Sequence, residues 1–194
     1  MNTAVASPPM KDRILEAAEQ LFYGVGIQAV GVDAVAAAAG ISKRTLYKYY
    51  PSKDELVAAY LTHRSGKPFT VDGTPVAQIL GLFEVLARRF AGKRFRGCAF
   101  VNAVAELGSE REHPAVAVAS EHKARQLAQV QALLKELKVH DAVRLGEQIM
   151  LLVEGAVAMS LVRGGDPQVA HSARDAAIVL LRTAGVQVPD EAQR

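Results

Sequence analysis

Apolar residues recur every three to four positions along most of the chain, and no stretch alternates apolar and polar residues long enough to propose a strand. Ile14, Leu15, Ala18, Leu21 and Phe22, for example, fall on one stripe of a helix. The pattern predicts an all-α protein of about nine helices, near 9–25, 32–39, 43–50, 53–66, 75–91, 97–108, 114–138, 142–163 and 167–184. Four of these open with a polar residue followed by proline: Ser7-Pro8, Thr74-Pro75, His113-Pro114 and Asp166-Pro167. Proline suits a first helical turn, where its missing N–H has no intrahelical partner. Asp141 and Ser52 read as further N-caps, and Ser52 with Glu55 has the spacing of a capping box. Gly24 and Gly26 end the first helix. The softer stretch from Gly66 to Gly73 reads as a joint. It divides the chain into an N-terminal domain over 1–52, a linking helix over 53–66 and a second domain over 67–194. The last residues, VPDEAQR, read as a frayed end.

Composition narrows the class. Half of the 194 residues are hydrophobic, which excludes disorder, and a single cysteine excludes an internal disulfide framework. The longest apolar run, Ile149 to Val162, is interrupted by Glu154 and Gly155 and reads as too short to span a bilayer. The N-terminus lacks the basic-then-apolar order of a signal peptide, so a cytoplasmic protein with no membrane partner is expected. A net charge of +3 and a pI near 9.1 say little until the charge is located. From Ser42 to Lys53 the chain carries Lys43, Arg44, Lys48 and Lys53 and no acid, so this stretch holds more positive charge than the whole chain's surplus.

That stretch sits in VDAVAAAAGISKRTLYKYY, residues 32–50. A short apolar helix ends at Ala39-Gly40, Ile41 follows, and Ser42 caps a second short helix, which is the layout of a helix-turn-helix. Leu46 and Tyr50, four apart, share the face that packs on the scaffold, while Lys43, Arg44, Thr45, Tyr47 and Lys48 point elsewhere. A solvated basic helix would carry the same charge. Turn, cap, aromatics and one-signed charge together favour a helix that enters a major groove of double-stranded DNA.

The stretch from Arg13 to Tyr60 resembles the N-terminal domain of the TetR/AcrR repressors, most specifically in AAGISKRTLYKYYPSKDEL. The resemblance implies a three-helix DNA-binding domain, a fourth helix leading to a larger helical domain for an effector, and a two-fold dimer. It places Ser42, Lys43, Arg44, Thr45, Tyr47, Lys48 and Tyr49 on the recognition helix, with Tyr47 and Lys53 at the DNA backbone. One departure is evident. The family usually has Thr or Ser just before the second helix, and this chain has Val30 and Gly31 there, so only backbone N–H groups remain for a phosphate.

Most of the remaining signals lie beyond residue 66. Gly24 to Ala29 fits a relaxed dinucleotide fingerprint, but it follows a helix and lacks a βαβ unit, so it is read as a helix stop. Cys98, Asn102 and Glu106 form one stripe of an otherwise apolar helix, and Glu154 lies on the stripe of Met150, Val157 and Leu161. The segment GCAFVNAVAEL…HP…H also resembles the ligand domain of one broad TetR-like subgroup. If these helices converge, Asn102, Glu106, His122 and Glu154 could bind a polar effector or a metal ion. A satisfied hydrogen-bond network is the plainer reading. Phe83, Leu86, Phe90, Phe100, Ala103, Leu127, Met150 and Met159 are candidate walls for an apolar small-molecule effector, each with core packing as its ordinary alternative. In the family, a final helix pair such as 142–163 and 167–184 meets its two-fold copy. That assigns Ile149, Leu152, Val153, Ala156, Ile178, Val179 and Leu181 to a dimer interface, against an ordinary monomer core. No cofactor and no catalysis are expected. The rival is an all-α small-molecule-binding protein or enzyme that uses the C-terminal pocket.

Overall fold

A computed structural model describes residues 9–66, 71–108 and 112–189. Ser7-Pro8, residues 67–70 of the expected joint and 190–194 of the expected frayed end lie outside them. The described residues form helices α1 (Met10–Gly24), α2 (Val32–Ala38), α3 (Lys43–Tyr49), α4 (Lys53–Ser65), α5 (Pro75–Phe90), α6 (Ala99–Leu107), α7 (Pro114–Glu136), α8 (Ala142–Val162) and α9 (Gln168–Thr183), and no strand. Each expected helix is present to within two residues at either end, because its start signals are chemical and local. Ser42, Ser52, Thr74 and Asp141 each accept a hydrogen bond from a backbone N–H in the following turn.

The chain divides into two compact units, but not at one point. The first joins Met1–Lys67 to Ala99–Ser120, and the second joins Pro68–Cys98 to Glu121–Arg194. The expected split after the fourth helix is therefore corrected. The helix α6 and the start of α7 belong with the N-terminal helices, tied to them by side-chain bonds that sequence spacing does not reveal.

Within the first unit, α1 and α4 pack through Ile14, Phe22, Leu56, Tyr60 and Leu61, and the rings of Phe22 and Tyr60 meet edge to face at 5.8 Å. In the second unit, α5, α7, α8 and α9 share one core containing Ile79, Phe83, Phe90, Leu134, Ile149 and Leu181. Arg174 of α9 is buried and pairs with Glu84 of α5 at 3.2 Å.

A sharp backbone contact closes this unit. Gly165, at φ +97°, lies where a Cβ would stand 2.6 Å from the Phe90 carbonyl oxygen. Backbone cannot swing aside, so Gly165→Ala combines a strained dihedral with overpacking, for about 2–5 kcal/mol. The expected result is a midpoint lowered by roughly 5–15 °C in a thermal melt followed by circular dichroism. A melt within a degree or two of wild type would show that the loop can move away.

Two expectations about α8 change. The helix runs 21 residues with a mean hydropathy of 1.5 over its most apolar window, long and apolar enough by length and composition to cross a membrane. The apolar run from Ile149 to Val162 is only part of this helix, and the full length from Ala142 reverses the expectation that it is too short. The assignment of the dimer face is also corrected. Ile149, Ala156, Ile178 and Leu181 are buried in this chain's own core, and Leu152 and Val153 are half-buried against it. Of the seven, Val179 alone is exposed. Leu151, Met159 and Val162 point outward instead, with Leu151 71% and Val162 85% exposed.

Candidate nucleic-acid interface

Two seven-residue helices meet at a tight turn. Gly40 takes φ +67°, and the Ile41 N–H reaches back to the Ala36 carbonyl, which closes the end of α2. From α1, the Arg13 guanidinium donates to the Ala39 carbonyl at 2.6 Å and fixes the turn to the scaffold. A Cβ on residue 40 would press on that guanidinium at 3.1 Å, so glycine serves both conformation and space. The start of α2 has no side-chain cap, in line with Val30 and Gly31 preceding it.

The second short helix is held from beneath. Leu46 of α3 is fully buried and Tyr50 is nearly so, and burial together with the nearby Asp12 charge raises the Tyr50 hydroxyl's pKa above its ordinary value. Ser42 accepts from the Thr45 N–H at 3.1 Å, and its oxygen lies 2.9 Å from the Thr45 hydroxyl. Ser42 is thus engaged as a cap, and Thr45 is half-buried. Lys43, Arg44, Tyr47, Lys48 and Tyr49 remain exposed. Lys53 opens α4 behind the Ser52 cap. The face therefore offers cations and phenols and no acid of its own helix, the chemistry that suits phosphates and base edges.

Sequence reasoning missed four participants. Asp33 of α2 takes the Lys43 ammonium at 3.0 Å. This hydrogen bond, and then the carboxylate's charge, raise the lysine's pKa above its usual value. Gln28, in the loop after α1, joins Glu106 of α6 twice: its N–H donates to Oε2 at 2.9 Å, and its side-chain amide donates to the Glu106 carbonyl at 2.5 Å. His113 is buried, accepts the Ala115 N–H on Nδ1 at 3.1 Å, and turns Nε2 to Asp54 of α4 at 3.4 Å. Between these contacts lies an open cavity of about 260 Å³, lined by Ile27, Gln28, Lys53, Asp54, Val57, Leu107 and His113. Asp33 could have been found, because it is the one acid between Gly31 and Lys53. The others carry no local signal.

The expected effector and metal residues are divided between the two units. Glu106 is committed to Gln28, and Glu154 accepts from Lys123 at 2.6 Å while Lys123 also donates to Gln126 at 3.3 Å. Among the described residues no three His, Cys, Asp or Glu side chains form a group that could hold a metal ion. Glu106 and Glu154 each found a partner instead. Phe83, Leu86 and Phe90 are buried in the core of the second unit, and Phe100 and Ala103 are buried in the first. Leu127 and Met150 are half-buried. Met159 is 48% exposed and is no wall of an interior cavity.

Known proteins carry the same arrangement. The family model described as bacterial regulatory proteins, tetR family, matches residues 14–60. Two Mycobacterium tuberculosis proteins described as HTH-type transcriptional regulators are 43% identical over 63 residues, a match that spans 31% of this chain and 31% of theirs. A TetR-type transcriptional regulator from Streptomyces avermitilis is 31% identical, with a TM-score of 0.81 over 93% of this chain and 100% of that one. A TetR-family transcriptional regulator from Streptomyces coelicolor is 29% identical, with a TM-score of 0.77 over 90% of this chain and 95% of that one. The reduced form of NemR from E. coli shares the fold, at 16% identity and a TM-score of 0.80 over 93% of this chain. With the helix-turn-helix matched at one end and a relative matched along its whole length, the chain belongs to the TetR family of bacterial regulatory proteins.

Proposed function

We propose that this protein is a DNA-binding transcriptional regulator, a repressor that holds a pseudo-palindromic operator as a homodimer and is released by a small-molecule effector. The observation that carries the reading is α3. Leu46 anchors it from below, and Lys43, Arg44, Tyr47, Lys48 and Tyr49 are exposed. Two such helices, related by a two-fold axis, read half-sites about 34–36 Å apart, or a multiple of that. The outward stripe Leu151, Gly155, Ala158, Met159 and Val162 of α8 supports the dimer, since an apolar face of this kind needs a cover. The chemistry is recognition and not catalysis, and its place is the cytoplasm.

The effector reading rests on the second unit. One helical turn along α7 from Lys123 is the half-buried Leu127, and one turn along α8 before Glu154 is the half-buried Met150. An ion pair at the edge of apolar side chains suits a mainly apolar molecule with one polar group. Effector binding acts by favouring the state in which the two reading helices no longer fit the operator.

The test is a mobility shift with DNA flanking the protein's own gene, repeated across salt. Binding that weakens as salt rises supports the reading, and no shift at low salt with any flanking DNA overturns it. Lys48→Ala sharpens the test. It is expected to weaken binding and to flatten the plot of log affinity against log salt by about 0.9, one phosphate contact's worth. An unchanged slope would remove Lys48 from the DNA backbone.

A further inference from the structure

The acid beside the reading helix is out of place on a surface that meets a polyanion. Asp33 is the second residue of α2, and Lys43 is the first of α3, so the carboxylate reaches across the turn to the ammonium at 3.0 Å. The other three cations between Ser42 and Lys53 have no carboxylate partner among the described residues. The pair is exposed, with side-chain exposures of 50% for Lys43 and 69% for Asp33, and exposed pairs add little to stability. Holding the fold together is therefore a poor account of it. Its effect on charge is larger, because it cancels one of four cations on the face.

We propose that Asp33 is a specificity-determining residue that occupies Lys43 and so restrains binding to DNA of arbitrary sequence. The inference rests on the DNA-binding reading above and deepens it. Attraction to arbitrary DNA comes from cations replacing counterions along the phosphates, one for each contact. A lysine held by a carboxylate adds nothing to that sum. If a phosphate takes the lysine, the freed carboxylate is left facing the backbone, where like charges repel. Arbitrary DNA has no other reward to offset this. At a cognate site, base-edge contacts from the same helix supply it. Asp33 thus weakens the wrong complex more than the right one, which is how specificity is gained by penalty.

Asp33→Asn is the test, with fluorescence anisotropy on a random-sequence duplex and on a duplex selected from a random pool by the wild-type protein. The variant is expected to bind the random duplex about five- to tenfold tighter at 0.1 M salt, with a salt slope steeper by about 0.9. Its preference for the selected duplex is expected to fall. In Asp33→Asn/Lys43→Gln the steeper slope is expected to vanish. Circular dichroism and thermal melts of each variant establish that the fold is kept. An Asp33→Asn protein with wild-type slope overturns the inference. So does a steeper slope that persists without Lys43, because the carboxylate would then act by direct repulsion. If wild type binds the random duplex and Lys48→Ala weakens it while Asp33→Asn changes nothing, the Asp33 inference alone fails. If wild type binds no duplex at low salt, the DNA reading fails with it.

Discussion

Replacing Leu151 by glutamate is expected to turn a micromolar dimer into a monomer and to lower operator affinity by about 10²–10⁴-fold. The argument begins with exposure. Leu151 is 71% exposed on a single chain, so a carboxylate there stays hydrated in the monomer and the fold has no reason to change. In a dimer that buries the stripe running from Leu151 to Val162, the same carboxylate is dehydrated against apolar side chains and, across a two-fold axis, lies near its own copy. Burying an unpaired charge costs several kcal/mol, and each 1.4 kcal/mol is a tenfold change in the association constant. Once monomeric, each reading helix must find its half-site alone and loses the high effective concentration that a tethered partner provides. Light scattering reads the mass, anisotropy on an operator duplex reads the affinity, and a melt close to wild type confirms the fold. A Leu151→Glu protein that remains dimeric would place the interface elsewhere. Gly155, on the same stripe, has nothing within 4 Å of where its Cβ would stand, so one chain leaves room there for a close crossing by another helix.

The correction on α8 shows where sequence patterns stop being informative. Between Ile149 and Val162 the helix is apolar nearly all round, so its periodicity has no phase and cannot say which side faces inward. Ile149 and Ala156 face the core and Leu151 and Val162 do not, although all four are equally apolar in kind. The helix boundaries were legible for the opposite reason, because a cap such as Ser42 or Thr74 acts on the turn that follows it. The reading face of α3 was legible as well, since Leu46 and Tyr50 set its phase against a run of cations. Long-range polar partners were not. Glu106 binds a residue 78 positions away and Glu154 one 31 positions away, and nothing in either neighbourhood marks the pairing. Those same bonds explain why α6 joins the N-terminal unit. A domain boundary read from a soft segment follows the chain, whereas the Glu106–Gln28 and His113–Asp54 contacts join parts of it that are far apart in sequence.

Leu46→Ala is expected to abolish DNA binding by unfolding the reading helix rather than by removing a contact. The helix α3 is seven residues long, and isolated helices of that length are unstable in water, so its conformation depends on what it packs against. Leu46 is its one buried side chain, at 0% exposure, and the Ser42 cap and the Tyr50 N–H bond at its two ends hold only if that anchor stays seated. Truncating a buried leucine to alanine costs about 2–5 kcal/mol, depending on how far the surroundings can close over the cavity. Charged to a unit of four short N-terminal helices with only α6 and the start of α7 beside them, that loss is a large share of a stability that for whole domains is about 5–15 kcal/mol. The second unit has its own core around Phe83, Leu134 and Ile149, and Leu46 is no part of it. The result expected is an earlier loss of ellipticity on heating, for the helices of the first unit, while the second unit melts near the wild-type temperature. Amide exchange provides the residue-level check, with protection lost first in α2 and α3. Leu46→Met, which keeps volume, is expected to restore most of the affinity. If Leu46→Ala binds DNA as wild type does, α3 is not held by this residue, and the placement of the reading face around it is wrong.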